Sequence, residues 1–225
     1  MDWEAIWLTM RLATLTTVIL CLTGLPLAYW LARSRWRWKF LIEATVALPL
    51  VLPPTVLGFY LLIAMSPHHA VGRAYESLVG QTLPFSFPGL LIASIIYSLP
   101  FAVRPFIAAF AGVDRRLIEA SWCLGVSRVA TFFRVVLPLC WAGFLTGIVL
   151  SFAHTVGEFG VVMMVGGNIA GKTRTVSVSI YDQVQEAFLD PAKYAAAGQT
   201  AWALLVFSFV VLCVTSILQR RVWVL

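Results

Sequence analysis

Charged side chains are scarce in this sequence. Its 225 residues include 16 Lys or Arg and 10 Asp or Glu, so that only 12% of the chain is charged. Soluble proteins have about a quarter of their residues charged and roughly half apolar. Here 60% of the residues are hydrophobic, which is more apolar surface than a soluble domain of this length can bury. The scarcity of charge therefore excludes an ordinary soluble protein and predicts a membrane protein.

Cysteine and histidine are also rare, with four of the former and three of the latter. The cysteines are Cys21, Cys123, Cys140 and Cys213. They show neither the spacing of a metal site nor that of a secreted disulfide framework, which predicts free thiols. His68 and His69 are adjacent but have no evident further ligands, so we expect loop residues and no metal site.

The sequence lacks a recognisable catalytic set. It has no Ser/His/Asp arrangement and no carboxylate pair with a plausible shared geometry, which predicts that the chain is not an enzyme. The segment GGNIAGKT, residues 166–173, has the spacing of a phosphate-binding loop. Such a loop follows a strand, and none is expected here, so we do not interpret it as a nucleotide site. The net charge of +6 does not indicate nucleic acid, because its placement along the chain matters more than its sum.

Long apolar runs dominate what is present. Runs of about twenty residues, each able to cross a bilayer as a helix, recur along the chain. They cover approximately residues 6–32, 41–65, 89–111, 133–157 and 195–218. The first run is too long for a cleaved signal and is followed by arginines, so we interpret it as a retained span. A sixth span within 161–180 is disfavoured because GGNIAGKTRT interrupts it. The prediction is a single all-α domain, residues 1–225, that forms a polytopic bundle of five transmembrane helices.

The positions of the cations favour one orientation. Lys and Arg concentrate on the cytoplasmic side of membrane proteins, and tryptophan at the interface. If the N terminus is outside, three basic groups share the cytoplasmic side. They are RSRWRWK at residues 33–39, the loop and span start with Arg115, Arg116, Arg128 and Arg134, and the tail with Arg220 and Arg221. Most acidic residues then lie outside, so the sequence predicts an N-out, C-in topology.

The stretch at about residues 112–131, between the third and fourth runs, has the signals of a short helix and a tight turn. Asp114 can cap the helix, since its carboxylate accepts backbone N–H bonds. Apolar residues follow at three- and four-residue steps, which is typical of an amphipathic helix. Gly125 can adopt the left-handed conformation that ends a helix, and Ser127 can cap the next one. Periodicity alone is equally consistent with an interfacial helix that merely joins two spans.

This stretch resembles the signature of ABC-importer permeases: Glu-Ala-Ala, a Gly, and then, after a spacer, an aliphatic residue, any residue and Leu-Pro. Here EAS at 119–121 precedes the glycine at 125, and VVLP at 135–138 closes the pattern, with a serine and a valine as mild departures. The resemblance implies a MetI-like permease whose cytoplasmic coupling helix docks in a groove on an ATPase. The residues it assigns to coupling are Glu119, Ala120, Ser121, Leu124, Gly125, Leu137 and Pro138.

Two further stretches resemble molybdate permeases: LPLVLPPTVLGFYLL at 48–62 and GEFGVVMMVGGNIAGKTRTVSVSIY at 157–181. The resemblance implies import of molybdate across a bacterial inner membrane, with sulfate or tungstate as the alternative cargo. It also implies a second copy of the chain, two ATPase subunits that bind ATP and Mg, and a periplasmic oxyanion-binding protein. We expect no cofactor on this chain itself.

A different class, the ion-coupled secondary transporter, remains as a second hypothesis. Such proteins need buried ionisable groups for coupling and often contain internal repeats. The sequence has few such groups and no repeat. A membrane-embedded enzyme would need convergent polar groups, which are absent from the pattern. Both alternatives are therefore less favoured than the importer.

Three prolines within the second run are candidates for the transport pathway. Pro49, Pro53 and Pro54 each remove a helix hydrogen bond and clash with the preceding turn. Backbone groups freed in this way are tolerated in a membrane only where they are buried in protein or line water. A hinge or pore-lining bend and a kink that merely improves packing are equally consistent with this pattern.

Ionisable residues near the spans are the other pathway candidates, because such groups are costly in a membrane. Glu158, four residues after His154, is either a gate or contact point or part of a hydrated helix end. Arg104 could attract an oxyanion, but we favour snorkelling to the headgroups. The outer segment could assist anion entry or contact a binding protein, and a plain solvated loop is slightly favoured. Its polar residues are Asn168, Lys172, Thr173, Arg174 and Thr175.

Overall fold

The computed structural model describes residues 2–188 and 192–222, and within these ranges it contains helices and no strands. The helices in chain order are α1 (Trp3–Arg33), α2 (Lys39–Ala47), α3 (Pro54–Met65), α4 (Ala70–Val79), α5 (Phe87–Ala111), α6 (Arg115–Cys123), α7 (Arg128–Thr131), α8 (Leu137–Leu139), α9 (Trp141–Gly157), α10 (Gly160–Gly166), α11 (Val176–Glu186) and α12 (Ala192–Val222). A 3₁₀ turn, Leu48–Leu50, extends α2, and a π turn, Phe132–Val136, lies between α7 and α8.

Three of the described helices are long and apolar enough to cross a membrane: α1, α5 and α12. α1 has 31 residues and is about 46 Å long at 1.5 Å per residue, which exceeds the roughly 30 Å hydrocarbon core. Asp2 caps it, because its Oδ1 accepts the Ala5 N–H at 3.0 Å. Two bent helix pairs raise the number of spans to five if each pair is one span. The predicted all-α polytopic bundle is thus confirmed.

α1 and α5 run in the same direction. Leu12 and Leu90, each near the start of its helix, belong to one hydrophobic cluster. Tyr29 and Phe110, each near the end of its helix, bring their rings to 5.2 Å. Because start contacts start and end contacts end, the two helices are parallel. The chain between them must therefore return to the side from which α1 starts, which is why the broken pair α2–α3 counts as a crossing.

α9 runs against α1 and α5. A Cβ placed on Gly143, near the start of α9, would lie 2.4 Å from the Cβ of Ala109 near the end of α5. Thr155, near the end of α9, is hydrogen-bonded to Ser98 in the first half of α5 at 2.9 Å. The order of these contacts is reversed between the two helices. α9 therefore returns the chain to the end where α1 and α5 begin.

The second predicted span, residues 41–65, is not one helix with a kink. Its two parts, Lys39–Leu50 and Pro54–Met65, are bent by 111° at the break between them. Pro54 is the first residue of α3, where its missing N–H has no cost, and Pro53 precedes it in an extended conformation. α3 then packs closely on α10, because a Cβ on Gly58 would lie 2.7 Å from the Cβ of Met164. The prolines thus break the span instead of bending it.

The fourth predicted span, residues 133–157, also departs from a straight helix. Arg128–Leu139 and Trp141–Gly157 are bent by 66° at Cys140. Pro138 has no N–H to continue the helical hydrogen bonds. The π turn before it already departs from the i→i−4 hydrogen-bond pattern of an α-helix. The N–H of Cys140 bonds to the carbonyls of Val136 and Leu137 at 3.1 and 3.2 Å, so the bend leaves it satisfied. The bilayer-crossing part of this span is therefore α9.

No sixth span forms within the described residues. The segment considered for it folds as α10, with 7 residues, and α11, with 11 residues, separated by the loop that contains GGNIAGKTRT. Both helices are too short to cross a bilayer. They pack at the end of the bundle where α1 begins, since the Ser179 Oγ donates to the Asp2 carboxylate at 3.0 Å.

Cations concentrate at the other end of the bundle. The ring of Tyr29 meets that of Phe132 at 5.3 Å, which places the basic segment 33–39 beside the basic stretch 115–134. The side chains of Arg220 and Arg221 lie outside the described part of the structure. This distribution agrees with the positive-inside rule. The N-out, C-in orientation in a membrane stays a prediction.

Gly147 provides a test of this packing. A Cβ at Gly147 would lie 2.4 Å from the Phe106 ring and 2.9 Å from the Ala102 carbonyl, whereas a Cβ at Gly157, on the same helix, would meet nothing within 4 Å. Gly147→Ala should destabilise the protein by about 1–3 kcal/mol through overpacking, and Gly157→Ala should be neutral or slightly stabilising. Thermal unfolding of the two variants in detergent measures the difference. Equal midpoints would contradict the close α5–α9 contact.

Candidate functional site

α6 forms as the sequence predicts. The Asp114 Oδ1 accepts the Arg116 N–H at 2.9 Å, so that the carboxylate caps the helix. At its end, the Gly125 N–H bonds to the Trp122 carbonyl at 2.9 Å and the Val126 N–H to the Ser121 carbonyl at 3.1 Å. This pair of bonds is a Schellman motif, and it requires the left-handed backbone that Gly125 adopts at φ +78°.

The second half of the predicted helix–turn–helix is also confirmed. The Ser127 Oγ accepts the Ala130 N–H at 3.2 Å and thereby caps α7. No atom lies within 4 Å of a Cβ placed on Gly125. The glycine is therefore required by its backbone conformation and not by lack of space.

The inner face of α6 is tied to the bundle. Ile118 is buried and belongs to the core cluster that contains Phe110 and Val136. Ser121 is also buried, and its Oγ lies 2.9 Å from the Thr131 Oγ1. Since the Thr131 hydroxyl donates to the Ser127 carbonyl, the Ser121 hydroxyl donates to Thr131. Ser121, predicted among the coupling residues, thus faces inward and joins α6 to α7.

The outer face of α6 is an exposed apolar knob, which we define as Leu117, Ala120, Trp122 and Leu124. Leu124 at the tip is 83% exposed. Glu119 already forms an ion pair within α6, because its Oε1 lies 3.0 Å from the Nε of Arg115. Exposed apolar surface beside cations is typical of a docking site for another protein.

The remaining predicted coupling residues, Leu137 and Pro138, lie in α8, before the 66° bend. Leu137 lines an apolar cavity of about 490 Å³ between α8 and α1, together with Phe132 and Tyr29. Pro138 is exposed. In the chain they lie between α7 and α9.

Glu158 is not part of a hydrated helix end. It is only 7% exposed, and its Oε1 accepts the Val161 N–H at 2.8 Å at the start of α10. The Ser177 Oγ donates to its backbone carbonyl. Burial raises the pKa of the Glu158 carboxyl, and hydrogen bonds from the backbone N–H groups of Val161, Phe159 and Gly160 oppose this effect. Glu158 thus joins α9 to α10 through its carboxylate and to Ser177 of α11 through its backbone carbonyl.

The structure brings two pathway candidates together and leaves another apart. A Cβ on Gly160 would lie 2.6 Å from the Cβ of Pro54, so the proline break contacts the turn that Glu158 caps. Arg104 lies on the exposed side of α5 and lines a cavity of about 320 Å³ with Glu43 and Ile107. No ion pair with Arg104 occurs among residues 2–188 and 192–222.

The outer segment is more ordered than a plain solvated loop. Thr173 and Thr175 are buried, and the Thr173 hydroxyl donates to the Gly166 carbonyl at 2.7 Å. The Arg174 Nε donates to the Asn168 Oδ1 at 2.6 Å. Lys172, by contrast, is exposed. The slightly favoured solvated-loop interpretation is therefore wrong for most of the segment, because its polar side chains close the loop on itself.

A chain of hydrogen bonds between α5 and α9, which we call the relay, could not be predicted from the sequence. It joins His154, Ser98 and Thr155. The His154 Nδ1 lies 3.0 Å from the Ser98 Oγ, which in turn lies 2.9 Å from the Thr155 Oγ1. The only signal for it in the sequence is the presence of serines at helical spacing within the third apolar run, at 94 and 98. Their partners come from another helix, so no local pattern identifies them.

The bundle of parallel and antiparallel spans, with a capped surface helix before the bent span, is similar in fold to solved ABC importers. A solved bacterial alginate ABC transporter, in complex with an alginate pentasaccharide-bound periplasmic protein, matches with a TM-score of 0.75. The match covers 97% of this chain and 78% of that chain at 17% identity, which establishes the fold alone. Residues 24–224 match the family described as the binding-protein-dependent transport system inner membrane component. The chain belongs to this family.

Two relatives differ in their named cargo. The molybdenum transport system permease protein ModB of Azotobacter vinelandii is 53% identical over 211 residues, which are 94% of this chain and 91% of that protein. The probable sulfate transport system permease protein cysT of Chlorokybus atmophyticus is 34% identical over 178 residues, which are 79% of this chain and 62% of that protein. The predicted resemblance to ABC-importer permeases is confirmed.

The cap formed by Glu158 can be tested with two substitutions. Glu158→Ala leaves buried N–H groups of α10 without an acceptor, which should destabilise the protein by about 1–3 kcal/mol. Glu158→Gln keeps an acceptor oxygen and should lose much less. Thermal unfolding of the purified variants measures both effects. If both variants have the same unfolding midpoint as the wild type, the carboxylate does not stabilise the start of α10.

Proposed function

We propose that this chain is the membrane-spanning subunit of an ATP-driven importer that carries molybdate across a bacterial inner membrane. The observation that supports this most strongly is the 53% identity to a molybdenum transport permease over 94% of the chain. The cargo is assigned by likeness and not by a ligand set. The pathway itself should bind the anion weakly, because tight binding would oppose its release.

In this proposal the knob on α6 docks in a groove on a cytoplasmic ATPase. The exposed Leu117 and Leu124 supply apolar contact area, and Arg116 supplies positive charge at the rim. Interface cores of this kind bind by desolvation of a few apolar anchors, and the polar rim sets orientation. ATP and Mg belong to that partner, which performs the hydrolysis.

The complete importer contains two copies of this chain, two ATPase subunits and a periplasmic binding protein for the oxyanion. ATP binding draws the ATPase subunits together, and with them the two α6 helices. Because the Ser121–Thr131 hydrogen bond and the buried Ile118 hold α6 on the bundle, this movement is transmitted to α7 and then to α9. The pathway between the copies opens outward, and hydrolysis resets it to face inward.

Sulfate is the second candidate cargo, favoured by the 34% identity to a probable sulfate permease. Tungstate is chemically close to molybdate and remains a third. An ion-coupled secondary transporter is a less favoured alternative, and it would continue uptake without ATP while an ion gradient persisted.

Uptake of labelled molybdate at low concentration tests the cargo. Cells that lack the chain are compared with cells that express it again, with and without excess sulfate. We expect ATP-dependent uptake that requires the chain and resists sulfate. Uptake that sulfate abolishes would move the assignment to sulfate, and uptake that is independent of ATP would contradict an ABC importer.

Gly125 tests the coupling role separately from the cargo. Gly125→Val places a β-branched residue at φ +78°, where an L residue is strained by roughly 1–2 kcal/mol or more, so the turn after α6 should be lost. We expect the variant to insert into the membrane and to lose ATP-driven uptake.

Gly125→Asn is the matched control, because asparagine tolerates the left-handed conformation and the site has open space. It should retain most of the uptake. Normal uptake by the Gly125→Val variant would contradict the role of this turn.

A further inference from the structure

His154 lies in α9 and faces α5. Its ring stacks on Phe101 with centroids 3.8 Å apart and lies 4.8 Å from the ring of Tyr97. The side chain is only partly buried. Its Nδ1 is hydrogen-bonded to the Ser98 Oγ at 3.0 Å. The geometry of the ring is therefore fixed by three neighbours on one helix.

The direction of every hydrogen bond in this relay can be deduced. The Thr155 hydroxyl must donate to the Ser151 carbonyl, at 2.9 Å, because a carbonyl oxygen only accepts. Each hydroxyl has a single hydrogen, so Thr155 accepts from Ser98, and the hydrogen of Ser98 is then used. The Ser98 Oγ must consequently accept from His154. The proton of the neutral ring is thus held on Nδ1.

The Nε2 of the neutral ring therefore carries a lone pair and no hydrogen. No hydrogen-bond partner for Nε2 occurs among residues 2–188 and 192–222, and it is not among the side-chain atoms buried there without one. The atom is accessible from outside the chain. In its neutral form it can only accept a hydrogen bond, and in its protonated form it donates one and carries positive charge.

The surface that His154 shares with α5 is unsuited to lipid. Tyr97, Phe101 and Arg104 follow one another at four- and three-residue steps along one side of α5, and Arg104 is exposed. Ionisable groups within spans face the bundle interior or water, because lipid does not solvate them. α5 also contacts the turn Leu48–Leu50 before the proline break.

Few ionisable groups lie close enough to His154 to influence its protonation. Tyr97 touches its ring from α5, and Arg104 lies further along that helix. Glu158, one turn on, is occupied by backbone N–H groups of α10. Among the described residues, α1, α8, α11 and α12, which pack against α9, provide no charged ion-pair or hydrogen-bond partner for His154.

We propose that His154 is a protonation-dependent contact for the oxyanion in the transport pathway, with its Nε2 as the contacting atom. This rests on the proposed function of the chain as an oxyanion importer. An oxyanion offers only acceptors, so the lone pair of the neutral ring repels it, whereas the Nε2–H of the imidazolium attracts it. By linkage, the anion and the proton favour each other's binding. The proton comes from water and returns to water when the anion leaves.

The test uses the complete importer in proteoliposomes, with its ATPase and binding protein and with equal pH on both sides. Molybdate uptake by the wild type is divided by uptake by His154→Arg, whose charge is permanent, so that the pH dependence of the partners cancels. We expect this ratio to fall as the pH rises from about 5.5 to about 8.5, by no more than about tenfold per pH unit, the limit for one proton. A ratio that is constant with pH overturns the inference.

Ser98→Ala provides a second readout that a merely structural role would not alter. It removes the acceptor at Nδ1, which allows the neutral ring to carry its proton on Nε2 and to donate to the anion. We expect the fall in uptake at high pH to become shallower than in the wild type. An equal loss of uptake at every pH would contradict the proposal.

The two hypotheses fail in different ways. If wild-type proteoliposomes import neither molybdate nor sulfate at any pH, the proposed function is wrong and the inference fails with it. If they import an oxyanion, but the wild type and both variants share one pH profile, the role of His154 alone is wrong.

Discussion

The close contact of α5 with α1 and α9 around Phe106 is the constraint on which the architecture depends. Phe106 is fully buried, and glycines at 24 and 147 leave room for its ring on both sides. Lipid provides no hydrophobic drive between helices, so association relies on such close packing of small residues against large ones. Around this contact α1 lies parallel to α5, and α9 lies antiparallel to both. The two ends of the bundle, one cation-rich and one holding α10 and α11, follow from those directions.

The breaks in the helices occur where the chain supplies other partners for the backbone. At Cys140 the backbone N–H keeps its bond to the Val136 carbonyl, and at Glu158 the carboxylate accepts from N–H groups of α10. In a membrane each unsatisfied group would cost several kcal/mol, so such breaks are confined to protein-lined positions. Pro54 and Gly160 meet at one of them. The bends are thus held by specific hydrogen bonds and close packing.

The local features were predictable and the long-range ones were not. The cap at Asp114 and the turn at Gly125 follow from rules that involve only adjacent residues, and the structure agrees with both. The large bends in the second and fourth spans depend on packing against other helices, which no single run reveals. The capping role of Glu158 and the relay at His154 likewise require partners from other segments. The sequence identified Glu158 as a candidate, with His154 four residues before it, but could not assign the contacts of either residue.

Site-directed crosslinking of Leu124 tests most directly whether the knob docks on the ATPase. In a variant without the four native cysteines, Leu124→Cys is compared with Leu78→Cys, which is similarly exposed, at 85% against 83%, but lies on α4 at the opposite end. If the knob docks on the ATPase, a short bifunctional reagent in native membranes should join the ATPase to the Leu124→Cys variant and not to the Leu78→Cys variant. A crosslink only from position 78, or none from position 124 in an importer that remains active, would contradict it.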